Sequence, residues 1–245
     1  MNISYSRVAA YLRCPYSHYL GYEVGVKRLQ PERPLYFGTD FHKLLELRTD
    51  PEGLEKAKKS IRDKYYELPP AWQSDLGENY YNDLVSIFED YCDLYKDAPQ
   101  PSITEQEFQI DMGSAGGEPL IFKGVIDEIY KRKDKSTGEK FIRIGEHKTF
   151  NRPPQQNTLV MNTQKNLYAK AIQHLYGMYP RSVLWDYIHS TPAVYPIWLE
   201  KSQKFSESKS AKITPYSWRR ACKERDITDP DILKKGDKYE ANIHN

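Results

Sequence analysis

Hydrophobic residues in the N-terminal part of the chain recur at helical spacing. A first helix is predicted from a cap at Ser4 to the residues before Pro15. A second helix is predicted over about 38–48, and a third from Pro51 onwards. A fourth is predicted behind a cap at Ser74, with one face lined by Tyr80, Leu84, Phe88, Tyr91 and Tyr95.

From about residue 103 the hydrophobic period changes from helical to alternating. The turn-forming clusters GSAGGEP and KDKSTGE divide this region into three predicted strands, 103–111, 120–131 and 140–148. A helix is then predicted over about 157–178, followed by a strand over 181–190. The central order is therefore α-β-β-β-α-β, which indicates an α/β protein.

Beyond about residue 190 the chain contains Pro, Ser and Lys and shows no clear core element. Its 245 residues suit one large domain, or one domain with an appendage. We expect one structural domain made of an N-terminal helical part over 1–100, a central core over 101–190 and a basic C-terminal extension over 191–245.

The composition excludes several classes of protein. Lys+Arg 36 against Asp+Glu 34 leaves a net charge of +2, which is unlike a highly charged disordered chain. The absence of a long apolar run and of a signal-peptide pattern at the N-terminus leads us to expect a cytoplasmic protein with no membrane partner. The three cysteines are far apart, so neither a disulfide framework nor a zinc knuckle is indicated and buried free thiols are expected.

Charge is unevenly distributed along the chain. Residues 75–97 hold seven acidic side chains against one lysine, and this surface should face away from a polyanion. Basic residues prevail over 131–143, where a solvated hairpin tip and a nucleic-acid contact are equally compatible with the pattern. They also prevail over 201–225, where interleaved aromatic residues favour a grip on DNA phosphates and bases.

The second predicted strand carries a conspicuous carboxylate. Val125, Asp127 and Ile129 are expected on one face, and Ile126 and Tyr130 on the other, so both faces should be buried. A buried lone carboxylate is costly unless a cation, a hydrogen-bond network or a proton compensates for it. Asp127 is therefore a candidate site residue.

In the third predicted strand, an apolar face ends in an acid and a base. Ile142, Ile144, Glu146 and Lys148 point the same way. Two carboxylates at the strand ends could hold Mg²⁺ or Mn²⁺, which polarises a phosphate and lowers the pKa of a bound water. The alternative is that Glu146 and Lys148 form an exposed ion pair worth at most about 1 kcal/mol.

Three short motifs follow one another on the second strand, the third strand and the next helix: Gly124-Val125-Ile126-Asp127, Glu146-His147-Lys148 and Gln164-Lys165-Asn166-Leu167-Tyr168. They resemble the GxxD, ExK and QxxxY motifs of the PD-(D/E)XK nuclease superfamily, and more narrowly its RecB-like branch, which includes phage exonucleases and CRISPR-adaptation nucleases. The opening SYSRVAAYLRCPYSHYLGY and the segment Phe37-Gly38-Thr39-Asp40-Phe41-His42 resemble the same branch. The resemblance covers roughly residues 3–190.

The resemblance implies a restriction-endonuclease-like αβββαβ core with a mixed sheet flanked by helices and an N-terminal helical subdomain. It makes Asp127 and Glu146 the metal-binding carboxylates and Lys148 the catalytic lysine. The backbone carbonyl of His147 would complete the coordination, and His42 would be an additional ligand. Without the resemblance, His42 beside a Phe would be a satisfied core residue.

Gln164 and Tyr168 lie four residues apart on one helix face, so both could reach DNA near the metal. The alternative is an ordinary Gln beside a core Tyr. Glu105 and Glu107 share a face of the first strand and could supply an outer carboxylate. The residues expected to bind DNA in the C-terminal basic segment are Lys212, Tyr216, Trp218, Arg219 and Arg220.

Iron–sulfur members of the RecB-like branch resemble this chain around Cys14 but need three further cysteines near the C-terminus. Only Cys222 is present there, so no iron–sulfur cluster is expected.

These observations favour a Mg²⁺- or Mn²⁺-dependent DNA nuclease. We expect an exonuclease that hydrolyses phosphodiester bonds from the ends of single- or double-stranded linear DNA. Its setting would be recombination, repair or phage DNA metabolism in a bacterial or phage-infected cytoplasm, with a recombination protein as a conceivable partner. The alternatives are a non-catalytic DNA-end-binding accessory protein and an endonuclease on the same core.

Overall fold

The computed structural model describes residues 1–27, 29, 32–150, 163–206 and 213–239, together with the backbone of 243–244. The chain divides into two compact units. The first comprises Met1–Gln30, Pro99–His147 and Pro153–Asp186, and the second comprises Pro31–Ala98, Lys148–Arg152 and Tyr187–Asn245.

The helices of the first unit are α1 (Tyr5–Arg13), α2 (Pro15–His18) with a π-helical turn (Tyr19–Val24), and α7 (Thr163–Tyr176). Those of the second unit are α3 (Arg33–Glu46), α4 (Pro51–Glu67), α5 (Pro70–Leu76), α6 (Tyr80–Leu94), α8 (Pro215–Lys223), α9 (Pro230–Lys234) and a 3₁₀ turn (Lys235–Lys238). The strands are β1 (Asn2–Ile3), β2 (Ile103–Ala115), β3 (Glu118–Lys133), β4 (Lys140–Phe150), β5 (Ser182–His189), β6 (Trp198–Leu199), β7 (Lys204–Phe205) and β8 (Ile243–His244).

The predicted caps place several helix starts correctly. Ser4 caps α1 by accepting a hydrogen bond from the Arg7 backbone N–H, and Asp50 caps α4 through Gly53. The prediction for Ser74 was wrong. It lies within the short helix α5, which ends at Gly77, and α6 starts afresh after Asn79 because Gly77 has a left-handed φ of 100° that a continuous helix cannot contain.

The α-β-β-β-α-β order is confirmed, and the sheet is mixed. β3 is central to the first unit: it pairs antiparallel with β2 and β4 and parallel with β1. The path of the six-stranded sheet is β1-β3-β4-β5-β8, with β2 on β3. The strands extend beyond their predicted ends, while part of the predicted helix over 157–178 falls outside the described residues.

The core of the first unit lies between this sheet and α7. Phe108, Phe122, Ile126 and Ile129 of β2 and β3 pack there with apolar residues of α7, among them Ala171. In β3 the buried hydrophobic side chains stand at even-numbered positions up to Ile126, and the next one stands at the odd-numbered position Ile129. The prediction that one strict alternation runs through Val125, Asp127 and Ile129 was therefore wrong, and Val125 is exposed.

The described residues of the second unit form two hydrophobic clusters. One joins α3, α4, α5 and α6. The other contains Phe205, Trp218 and Cys222 and is joined by Trp198 and Tyr239. The prediction of no clear core element beyond residue 190 was thus wrong, because apolar residues spaced widely along the sequence converge only in three dimensions. Cys222 is buried as expected, whereas Cys14 is exposed.

Candidate metal centre

Asp127 lies in β3 where this strand runs beside β4. Its Oδ2 accepts a hydrogen bond of 2.8 Å from the backbone N–H of His147. The register of the two strands, in which Glu128 pairs with Gly145, continues to place Asp127 across from Glu146. The structure therefore brings together the two carboxylates that the motifs predict.

A third carboxylate, that of Glu105, joins this pair from β2. The β2–β3 register pairs Thr104 with Glu128 and Gln106 with Ile126, so Glu105 stands opposite Asp127. One carboxylate oxygen of Glu105 and one of Asp127 lie within 4.8 Å of each other. Glu105 has a left-handed φ of 49°. The register of β2 and β3 passes from the Thr104–Glu128 pair to the Gln106–Ile126 pair, without a regular strand pairing between Glu105 and Asp127.

Glu146 is almost completely buried, at 2% exposure. Its Oε1 accepts a hydrogen bond from the side-chain amide of Gln164 in α7. A buried carboxylate is stabilised by such donors. This contact makes Gln164 a positioning residue for Glu146, while its direct binding to DNA stays a prediction.

Tyr168, one helical turn after Gln164, lies beside the same carboxylates. Burial raises the pKa of the Tyr168 hydroxyl, and the negative charges of Glu146, Asp127 and Glu105 raise it further. The hydroxyl therefore remains protonated at neutral pH and can act as a hydrogen-bond donor. Contact between Tyr168 and DNA stays a prediction.

The GVID motif begins with a glycine for a steric reason. A Cβ on Gly124 would lie 2.6 Å from the Cζ atom of the Phe108 ring. That ring packs edge-on against Tyr168, with 5.8 Å between their centroids. Gly124 thus permits the packing that holds Tyr168 near the carboxylates.

The ring of His147 is buried among three further carboxylate contacts. Its Nδ1 is 3.6 Å from Asp127 Oδ2, and its Nε2 is 3.5 Å from Asp186 Oδ2 and 3.8 Å from Glu128 Oε2. Burial alone would lower the pKa of His147, but the hydrogen bond to Asp127 and the negative charges of Glu128, Asp127 and Asp186 raise it. The ring therefore supports Asp127.

The donor set suits a hard divalent cation. Mg²⁺ and Mn²⁺ prefer carboxylate oxygens, and Glu105 and Asp127 present two of these at close range. Uncompensated carboxylates this close repel one another, and a cation would relieve the repulsion. The residues present therefore fit a divalent metal.

His42 and Lys148 belong to the second unit. His42 lies in α3, and Lys148 directly follows His147 in β4. Their assigned roles as metal ligand and catalytic lysine stay predictions.

Trp218, one of the residues of the C-terminal basic segment that were predicted to bind DNA, is buried. The Trp218 ring is 1% exposed, and its Nε1–H donates to the Ile232 carbonyl at 2.8 Å. Because no face of the ring is open to a nucleotide, base stacking by Trp218 is ruled out and its role is packing. Lys212 and the side chain of Tyr216 lie outside the described residues.

The two predicted DNA-binding arginines of α8 have carboxylate partners. Arg219 pairs with Asp237 at 2.8 Å, and Arg220 pairs with Glu89 of the acidic helix α6 at 3.2 Å. The acidic surface of α6 is thus partly neutralised by the basic segment. DNA binding by either arginine would compete with these ion pairs and stays a prediction.

The family model described as the PD-(D/E)XK nuclease superfamily matches residues 2–237. The chain belongs to the PD-(D/E)XK nuclease superfamily. Comparison with curated proteins gives no match. Membership of this superfamily, together with the acidic pair, indicates a nuclease that uses a divalent metal and acts on DNA.

The sequence by itself indicates no more than an outer carboxylate role for Glu105. The sequence carries no local sign of a left-handed backbone at this position, because such a backbone is typical of Gly, Asn and Asp and not of Glu. The acidic surroundings of His147 were missed for a related reason, because Glu128 and Asp186 come from two strands far apart in sequence.

In the part of the chain that the structure describes, no helix has the length and apolar character required to cross a membrane.

Proposed function

We propose that this protein is a Mg²⁺- or Mn²⁺-dependent DNA exonuclease that hydrolyses phosphodiester bonds from DNA ends. The observation that carries the proposal is the convergence of Glu105 and Asp127, with oxygens within 4.8 Å, beside the strand position of Glu146. The resemblance of its motifs to the RecB-like branch supports action on ends, and with it a role in recombination, repair or phage DNA metabolism.

Asp127 and Glu146 bind the metal in this proposal, together with the backbone carbonyl of His147. Glu105 adds a carboxylate from β2. His42 is a further ligand on the strength of the motif resemblance. A divalent cation, when bound, neutralises phosphate charge and lowers the pKa of a coordinated water.

The surrounding residues of the chain hold these groups in place. The backbone N–H of His147 fixes one oxygen of Asp127, and the amide of Gln164 fixes one oxygen of Glu146. Lys148 stabilises negative charge on the attacked phosphate or orients the nucleophile. Tyr168, kept neutral by its raised pKa, can donate a hydrogen bond toward a phosphate oxygen.

The test is digestion of end-labelled linear DNA with Mg²⁺ or Mn²⁺. Asp127→Asn, Glu146→Gln and Lys148→Ala should each lower the rate by about a hundredfold to a thousandfold, the loss seen when one electrostatic catalytic group is removed. Glu118→Gln, which changes an exposed carboxylate at the first residue of β3, is the matched control and should keep the parental rate. Parental rates in all three site variants would contradict the proposal.

Two substrates and one titration separate the alternatives. Covalently closed circular DNA distinguishes an exonuclease, which cannot start on it, from an endonuclease on the same core. Labels at the 5′ and 3′ ends of linear duplex and single strands report polarity. A non-catalytic DNA-end-binding protein would bind DNA without binding Mn²⁺, and calorimetric titration with Mn²⁺ detects that case.

A further inference from the structure

The hairpin formed by β3 and β4 carries a second feature at its turn, away from Asp127 and Glu146. A pocket of about 500 Å³ lies there, lined by four basic residues and two aromatic rings: Lys131, Arg132, Lys133, Lys140, Phe141 and Tyr176. The pocket belongs entirely to the first unit. Among the residues that the structure describes, its lining carries four positive charges and no carboxylate.

Two of these cations face each other directly. Lys133 and Lys140 are cross-strand partners in the antiparallel register. Side chains in such pairs have Cβ atoms about 4.5–5.5 Å apart, and like charges there destabilise the hairpin. An arrangement that is unfavourable in the isolated protein becomes favourable when an anion binds between the two ammonium groups.

The nearby carboxylates are already occupied. Asp134 and Glu139, in the turn that joins the two lysines, both pair with Arg181, at 2.7 and 3.3 Å. Asp134 also accepts hydrogen bonds from the backbone N–H groups of Ser136 and Thr137. The carboxylates of Asp134 and Glu139 are therefore bound by Arg181 and, for Asp134, by the backbone of the turn.

The other two cations are held by fixed partners. The Arg132 guanidinium donates to the Gln100 carbonyl at 2.6 Å, and Lys131 Nζ lies 4.5 Å from the centroid of the Tyr176 ring. Tyr176 in turn donates its hydroxyl hydrogen to Gln106 Oε1 at 3.3 Å. Both cations keep their charge while losing conformational freedom, so an anion binds at a smaller entropic cost.

The pocket lies on the same sheet face as the core beneath α7. Ile129 pairs with Ile144, and both are in this core. Lys131 pairs with Ile142 two residues further along the hairpin, so it lies on the same face of the sheet. This part of the face extends beyond Tyr176, where α7 ends. At about 3.3 Å per residue, Lys131 and Lys133 lie about 13 and 20 Å along β3 from Asp127. At 3.4 Å per nucleotide this spans about four to six nucleotides of a duplex strand.

We propose that this pocket binds phosphate groups of the nucleic acid strand whose end is being cut, several nucleotides from the metal centre. The proposal rests on the proposed function and adds an anchoring site remote from the chemistry. Phosphates bound there neutralise the opposed Lys133 and Lys140.

The test is binding of a labelled single-stranded oligonucleotide of about twelve nucleotides, long enough to span the distance. EDTA is present so that no cleavage occurs. The double variant Lys133→Gln/Lys140→Gln should bind about tenfold more weakly than the parent. Its slope of log affinity against log salt should be smaller by about 1.4, which is about 0.7 for each lost phosphate contact on a single strand.

The matched control is Lys56→Gln/Lys59→Gln, which removes two exposed charges from α4 and should retain the parental affinity and slope. Thermal unfolding of Lys133→Gln/Lys140→Gln should show a midpoint at or above that of the parent, because the repulsion is gone. Equal affinity and slope in the two double variants would overturn the proposal.

Two further measurements identify the ligand and separate the proposals. If the parent and Lys133→Gln/Lys140→Gln bind the oligonucleotide equally, but only the parent binds inorganic phosphate at constant ionic strength, the pocket binds free phosphate and the nucleic-acid assignment fails. Mn²⁺-dependent hydrolysis of a dinucleotide, too short to reach the pocket, should be equal in parent and variant. If the parent does not hydrolyse any DNA, the proposed function fails, whereas the binding result is unaffected.

Discussion

Glu105 faces Asp127 across the β2–β3 ladder, and at this position the backbone of Glu105 adopts a left-handed conformation with φ of 49°. A non-glycine residue in this region costs on the order of 1 kcal/mol or more. Opposite Glu105, between Ile126 and Ile129 of β3, the buried hydrophobic positions change from even-numbered to odd-numbered residues. The strand irregularity therefore brings a third carboxylate toward the site at the expense of backbone strain.

Replacing Glu105 should separate its effect on stability from its effect on metal binding. Glu105→Gly should be about 1 kcal/mol more stable to urea than Glu105→Ala, because glycine adopts the left-handed conformation without strain. Both variants should bind Mn²⁺ at least about tenfold more weakly by calorimetry, since each removes the carboxylate.

Gln203 supplies the matched control, because it is also left-handed, with φ of 48°, but lies in the turn between β6 and β7. Gln203→Gly should gain similar stability over Gln203→Ala and leave Mn²⁺ affinity unchanged. Equal Mn²⁺ affinity in the parent and both Glu105 variants would show that this carboxylate does not bind the metal.

Loss of the Gln164 amide should weaken the site through Glu146. Gln164→Ala removes the donor to Glu146 Oε1, and losing such a supporting partner costs about 10- to 100-fold in metal affinity. The measurement is Mn²⁺ titration followed by calorimetry. Gln173→Ala, on the same helix but bonded to Lys170, should leave the affinity unchanged, and equal losses in both variants would point to general damage to α7.

The packing chain from Gly124 to Tyr168 can be tested by a compensating pair. Gly124→Ala should destabilise the fold by about 1–3 kcal/mol, because the new methyl group overlaps the Phe108 ring. Adding Phe108→Leu makes room, so the double variant should be less destabilised than the sum of the two single changes. Urea denaturation measures all three, and strict additivity would refute the contact.

Asp90 should make stability depend on pH. This carboxyl of α6 is buried, and burial raises its pKa from about 3.8 to about 6 despite the opposing charge of Arg220. The folded state therefore keeps a proton that the unfolded state has lost, so the free energy of unfolding falls as pH rises from about 4 to about 6. The full effect is at most about 3 kcal/mol.

Asp90→Asn removes this titration, so its advantage over the parent should grow across that pH interval and then level off. Asp97→Asn, an exposed acid beyond the end of α6, should retain the parental pH profile. Urea denaturation at pH 4, 5, 6 and 7 gives the comparison. A parental slope in Asp90→Asn would mean that another group titrates.

Local signals in the sequence determined the central α-β-β-β-α-β order and the order of the motifs. Caps such as Ser4 and Asp50 act on the residues next to them, and the turn-forming clusters separate β2 from β3 and β3 from β4. The motif spacing on β3 and β4 also placed Asp127 and Glu146 on neighbouring strands. These features depend on contacts between residues close in sequence or joined by one hairpin.

Tertiary structure decided what the individual side chains contact. The capture of Glu146 by Gln164, the burial of Trp218 and the pairing of Arg220 with Glu89 all join segments that the sequence separates widely. Charge and aromatic content alone do not distinguish a DNA-binding residue from one that neutralises or fills the protein interior. Packing makes that distinction, because burial of a charge or ring is favourable only where a partner is positioned to receive it.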